Sequence, residues 1–250
     1  MTSSAALGAL SCEPLLRDTA MARRLLCSLV VLAYLPLAAA QSGPPVVVPV
    51  EATSYHVPVF SNEYVTVLNV LIPPQRDSGY HRHSLDTIAV LMSDSARTNQ
   101  TLGAEPIARP AQPRGTVTFT PYARDPIVHT VAVQGESAFH NVVVELLHAG
   151  AGGFSPGVRG QGYTQVLDNE RVRAWRLVLE PGQAAPAITQ RAPGIRVVVE
   201  GGELVESVAG APDRSMAPRH GELYWQESGT TRAVRNVGTA RIELVELELK

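Results

Sequence analysis

Residues 62–75 read Asn62-Glu63-Tyr64-Val65-Thr66-Val67-Leu68-Asn69-Val70-Leu71-Ile72-Pro73-Pro74-Gln75. β-branched and apolar residues fill 64–72, an Asn-Glu turn precedes them and a proline pair ends them, so the stretch predicts a strand. It returns about one hundred residues later. Asn169-Glu170-Arg171-Val172 answers Asn62-Glu63-Tyr64-Val65, and Leu179-Glu180-Pro181-Gly182-Gln183 answers Leu71-Ile72-Pro73-Pro74-Gln75. Further on, Val131-Ala132-Val133-Gln134-Gly135 is matched by Val234-Arg235-Asn236-Val237-Gly238. Matches in the same order at a near-constant offset imply duplication of one β unit.

The same pattern spreads outward from both copies. Short apolar–polar runs at 87–92, 116–120, 172–179, 195–199 and 242–249 are separated by Gly, Pro, Asn and Asp, and no long helical stripe interrupts them, which predicts an all-β protein. A glycine-rich stretch at 151–162 divides the chain into halves at 45–150 and 163–250. It lacks the following helix that a phosphate-binding loop needs, so it reads as a linker. Lys plus Arg number 21 against 23 Asp plus Glu, a net charge of −2. Such a balance offers no broad positive field for nucleic acid or an anionic membrane.

The N-terminal residues 1–40 predict processing rather than fold. From Met21 the chain reads Met21-Ala22-Arg23-Arg24, an apolar run over 25–37, then Ala38-Ala39-Ala40 before Gln41. A basic start, an apolar centre and a small-residue cleavage site form a secretory signal, with Met21 the better start and the mature protein exported to a periplasmic or extracellular space. The run is short for a bilayer span, so no stable membrane anchor is expected. Both cysteines, Cys12 and Cys27, lie upstream of Gln41, which leaves the mature chain without disulfide, thiol or cysteine-zinc chemistry.

His81-Arg82-His83 puts two imidazoles on one face of a strand. Later in the same half Gly115, Pro121 and His129 follow in order, and in the second half Gly221, Glu227, Gly229, Arg232 and Asn236 stand at the spacing Gly, five residues, Pro, x, Gly, two residues, His, three residues, Asn, with Glu227 for the proline and Arg232 for the histidine. Both motifs, in order and in duplicate, resemble the cupin superfamily and its bicupins, over nearly all of the mature chain. The resemblance implies two tandem cupin-type jelly-roll β-barrels. It also implies a divalent metal, Fe, Mn, Zn or Ni, held by His81, His83 and His129 in the first. In the second half Thr189, Arg191 and Arg232 are expected at the ligand positions, so no metal is expected there.

The fourth ligand is open. In the family a carboxylate commonly stands where this chain has Thr87, while Asp86 is one residue early and turns to the opposite face unless a bulge shifts it. A three-histidine site, a site completed by Asp86, and a site that binds no metal all remain at this level. His140, Tyr80 and Phe119 are candidates for the surroundings of a substrate; His140 shares parity with Val142, Val144 and Leu146 and so is expected to face inward. His56, His148 and His220 carry no readable signal. Trp175, Trp225 and Tyr224 predict packing within the second half and between the halves. Arg191 and Arg232 either hold an anion in the second barrel or point out of a lost site.

No nucleophile–histidine–acid order or dinucleotide fingerprint appears, and no catalytic residue stands out. The expected function is an exported bicupin with a metal and a small-molecule ligand in its first barrel, an oxidoreductase or isomerase by resemblance. The alternative is a non-catalytic small-molecule or carbohydrate binding or structural protein. The run 242–249 is expected to offer its edge to a second copy in a homo-oligomer.

Overall fold

The computed structural model describes residues 43–150 and 159–250; the segment expected to act as a signal and most of the glycine-rich linker lie outside them. The first half contains β1 (Val47–Pro49), β2 (His56–Ser61), β3 (Val65–Ile72), β4 (Tyr80–His83), β5 (Thr87–Leu91), β6 (Arg97–Thr101), β7 (Ile107–Arg109), β8 (Val117–Thr120), β9 (Ile127–Ala132) and β10 (Phe139–Leu146). The second contains β11 (Tyr163–Asp168), β12 (Val172–Leu179), β13 (Ile188–Thr189), β14 (Gly194–Glu200), β15 (Leu204–Val208), β16 (Arg214–Met216), β17 (Leu223–Gln226), β18 (Thr231–Asn236) and β19 (Ile242–Leu249). A 3-10 turn at Val50–Ala52 is the only helical element among the described residues.

Each half folds two sheets into a roll. The first pairs β1-β4-β9-β6-β7 and β2-β3-β10-β5-β8; the second pairs β11-β12-β19-β14-β17 and β13-β18-β15-β16. The duplicated Asn explains how each roll begins. Asn62 Oδ1 accepts from the backbone N–H of Tyr64 and Val65 at 2.9 and 3.0 Å, and Asn169 Oδ1 accepts from Arg171 and Val172 at 2.9 Å each. The side chain thus reinforces a turn that backbone bonds from Asn62 N–H to the Val65 carbonyl and from Asn169 N–H to the Val172 carbonyl, 3.0 Å each, also close, and it leads into β3 and β12. Gly115 and Gly221 sit at φ +76° and +85°, where a Cβ is strained.

The two rolls share a core. Val65, Val67, Ile88, Val90, Val142 and Val144 of the first half pack with Val172, Ala174, Ile195, Val197, Val245 and Leu247 of the second. Alternate residues turn into the rolls: Leu68, Val70, Ile72 and Val143 inside the first, Leu177, Val198, Leu204 and Leu244 inside the second. Strands β3, β10, β12 and β19 are therefore buried on both faces and read as continuous apolar runs rather than clean alternation. Residues 44–250 form one compact unit. Trp225 stacks on Phe60 and Tyr64 of the other half, with ring centroids 5.7 and 5.9 Å apart, the packing role expected of it.

Strand β19 corrects one expectation. It is hydrogen-bonded on both sides, to β12 and β14, so its edges cannot receive a strand from a second copy.

Candidate metal centre

Strands β4 and β9 run antiparallel with His81 directly opposite His129. The alternation of β4 sends His81 and His83 to the interior, both buried. The ring centroids of His81 and His83 are 5.0 Å apart, those of His81 and His129 4.6 Å, and those of His83 and His129 5.1 Å. The structure thus brings together the three histidines singled out in the sequence.

It adds a fourth. His56, the first residue of β2, comes from the facing sheet and places its ring 4.5 Å from that of His81. One ring nitrogen from each of His56, His81 and His83 lies within 4.8 Å of the others. His56 escaped the sequence reading because nothing local marks it: it becomes a neighbour of His81 only when the two sheets face each other.

Hydrogen bonds aim the rings. His81 Nδ1 lies 3.0 Å from the Gly79 carbonyl, which can only accept, so the ring proton is on Nδ1 and Nε2 carries the lone pair. Thr53 Oγ1 donates to the Val50 carbonyl at 3.1 Å and stands 2.6 Å from His56 Nδ1. The hydroxyl proton is used, so His56 Nδ1–H donates to it and Nε2 is left bare. Tyr122 stacks on His83 at 4.9 Å.

Three of these rings leave a buried nitrogen without a hydrogen-bond partner: His81 Nε2, His83 Nδ1 and His129 Nε2. Orphaned buried nitrogens are costly unless something binds them. Burial holds the histidines below their usual range, and their neighbours' charges add to the effect in three of the four: His56 falls to about 3, His83 to about 2 and His129 to about 4, while His81 is lowered although its bond to Gly79 opposes the shift. All four are neutral near pH 7, the form in which imidazole binds a metal. Donor set, protonation and orphaned nitrogens fit a divalent ion.

The other candidates turn elsewhere. Asp86 is not oriented as a ligand: Oδ1 accepts from Ala123 N–H at 3.0 Å and Oδ2 from Arg171 Nη1 at 2.6 Å. Strand β5 pairs with β10 and β8 in continuous register, so the alternation holds and Asp86 stays on the far face. Thr87 does line the interior cavity, which has a volume of about 580 Å³. Phe119 packs into the core between the rolls, while its neighbours Thr118 and Thr120 face the cavity. Tyr80 alternates away from His81 and His83. His140 also points away, for a reason its parity concealed: it does share a face with Val142 and Val144, but that face meets the second roll, and its Nε2 and Nδ1 reach Asn69 Oδ1 at 2.7 Å and His220 Nε2 at 3.1 Å.

In the second roll the register corrects two positions. Arg232 takes the place of His129, but it lies opposite Ile188, and Thr189 lies opposite Thr231. The counterparts of His81 and His83 are therefore Ile188 and Gln190 rather than Thr189 and Arg191. The sequence matches slipped by one residue, and in a strand such a slip exchanges the faces. Arg232 does not await an external anion either. It donates to Gln190 Oε1 at 3.1 Å and stands 3.5 Å from Glu246. Around it Arg196 meets Glu246 at 2.9 Å and Glu206 at 2.7 Å, and Arg159 meets Glu246 and, at 3.0 Å, Glu248. An ionic network occupies the space that the histidines and cavity fill in the first roll. Arg191 is exposed.

Neither a protein-family model nor a curated protein matches the chain. Solved structures do. AerE from Microcystis aeruginosa aligns with a TM-score of 0.54 at 11% identity, covering 79% of this chain and 98% of that one. The formate complex of Lactobacillus farciminis oxalate decarboxylase gives 0.54 at 10% identity, over 75% and 77% of the two chains. A salicylate 1,2-dioxygenase variant from Pseudoaminobacter salicylatoxidans bound to gentisate gives 0.51 at 10%, over 74% and 69%. The chain therefore has the fold of these structures, two tandem jelly-roll β-barrels of the cupin type, with a histidine cluster in the first and an ionic network in the second.

Proposed function

We propose that this protein is an exported, metal-dependent cupin enzyme that binds one divalent ion and a small organic substrate in its first barrel, with the second barrel as structural partner. The observation that carries the reading is the convergence of buried, unpartnered imidazole nitrogens on β4 and β9 beside a cavity of about 580 Å³. His81 and His83 form the centre of the ligand set, flanked by His129 and His56. Neutral nitrogen donors suit Fe, Mn, Zn or Ni. Such an ion supplies Lewis acidity toward a substrate oxygen or a site for dioxygen.

The chain's own residues prepare the place. Gly79 and Thr53 hold two rings in one tautomer, Tyr122 covers His83, and Val70, Val131 and Val143 keep the inner wall apolar. The export part of the proposal rests on the pattern over 21–40.

The test is elemental analysis of protein purified without chelator, with affinity measured after reloading. About one equivalent of a divalent metal per chain is expected, and Thr53→Ala should weaken metal binding roughly 10–100-fold by releasing the His56 ring. A wild-type chain that takes up no divalent metal would overturn the enzyme reading.

A further inference from the structure

The two barrel interiors differ in charge balance. In the second, the guanidiniums of Arg159, Arg196 and Arg232 face the carboxylates of Glu206, Glu246 and Glu248. The first barrel has neutral residues where two of those carboxylates stand. Asn99 pairs with Val131 as Glu206 pairs with Val234, and Val143 holds the place in β10 that Glu246 holds in β19.

Yet the first barrel keeps two arginines. Arg97 and Arg109 lie directly opposite each other on β6 and β7, and both line the cavity. No Asp or Glu lines it with them among the described residues. The Arg97 guanidinium rests over the Phe139 ring, 4.7 Å from its centroid, and both residues line the cavity. Arg97 Nη1 is buried without a partner, as are the Oδ1 atoms of Asn99 and Asn141. Two cations side by side, Arg97 partly withdrawn from water and Arg109 exposed, with no carboxylate among the described residues that line the cavity, are stabilised by an anion from outside.

We infer that the first-barrel cavity binds a carboxylate with an apolar body, its carboxylate held by Arg97 and Arg109 and its body against Phe139 and the valine wall. The planar fork of arginine matches a carboxylate with two parallel hydrogen bonds. The inference deepens the metal-site reading, because His83 and His129 line the same cavity, but the anion site is built from residues outside the histidine cluster.

The experiment is calorimetric titration of manganese(II)-loaded protein with benzoate, cyclohexanecarboxylate and succinate, with benzamide as the neutral counterpart of benzoate. At least one carboxylate should bind, and benzamide should not. Arg97→Gln and Arg109→Gln should each weaken binding by about tenfold or more with metal content unchanged. Arg97→Lys should recover part of the loss, and Arg114→Gln, outside the cavity, should have no effect. Because the Arg109 side chain is exposed, its variant remains informative where Arg97→Gln fails to fold. Absence of binding by all three carboxylates, or binding that survives the double Arg97→Gln, Arg109→Gln change, would overturn the inference while leaving the metal centre standing. Carboxylate binding by a chain that takes up no metal would support the anion site and remove the enzyme reading.

Discussion

Asp86 Oδ2 accepts a 2.6 Å hydrogen bond from Arg171 Nη1 across the junction of the two barrels. The Asp86 side chain is 9% exposed and that of Arg171 26%, so the pair is only partly screened. It joins β12's entry turn to the start of β5 and engages the carboxylate on the face away from the histidine cluster. Asp86→Asn should lower stability by about 1–3 kcal/mol in denaturant unfolding and leave metal content unchanged. Loss of the metal would return Asp86 to the ligand set.

The asymmetry between barrels predicts an asymmetric response. His81→Ala with His83→Ala removes two direct donors and should bring metal content close to zero. Ile188→Ala with Gln190→Ala, at the equivalent positions of the second barrel, should leave it near the wild-type level, as should Thr189→Ala with Arg191→Ala. A full equivalent of metal in the double histidine variant would place the ion elsewhere.

Acid should destabilise the metal-free protein. His56, His83 and His129 titrate at about 3, 2 and 4 in the fold against about 6.5 unfolded. The unfolded chain therefore takes up protons first. Stability is fully present above about pH 6.5 and is lost progressively as pH falls toward the folded values. Glu145, pushed up to about 7 by burial and by Glu51, has the opposite sign: its contribution is present at low pH and lost as pH rises through about 7. Three histidines outweigh one carboxyl, so the unfolding free energy should be lower at about pH 5 than at about pH 7.5. Metal affinity should fall in the same direction, since protons compete for the ligands. A metal-free protein more stable at the acidic end would contradict this assignment.

Glu246 contacts Arg159, Arg196 and Arg232. Burial alone would raise its pKa, but the three guanidiniums hold it at about 2. Glu246→Gln leaves three buried arginines facing two carboxylates and should cost about 3–5 kcal/mol, read as a lower melting temperature, without changing the metal content of the folded fraction. An unchanged melting temperature would show that the network is dispensable to the second barrel.

Export predicts a mature N-terminus at Gln41 or within a few residues of it, found by mass spectrometry of the secreted or periplasmic fraction. Intact forms beginning at Met1 or Met21 recovered from the cytosol would refute it.

Local patterns in the sequence determined the architecture. Period-two runs ended by turn residues specify strands without reference to anything distant, and their repetition specifies two barrels. The Asn62 and Asn169 turns are built from contacts two and three residues apart, which is why they were legible. The alternation of His81 and His83 likewise follows from the strand itself, and the shared motif order marked His129 as their partner. Tertiary structure decided the rest. His56 joins the cluster, and Arg97 and Arg109 join the cavity, only when separate strands are wrapped around one interior. The face of His140 was ambiguous because β10 is buried on both sides, so apolar neighbours could not tell the barrel interior from the junction. The equivalence of Gln190 with His83 turned on a single residue of register, which strand hydrogen bonds define and a weak repeat does not. In a sheet, one residue separates the two faces, so only the pairing itself decides which side chains meet.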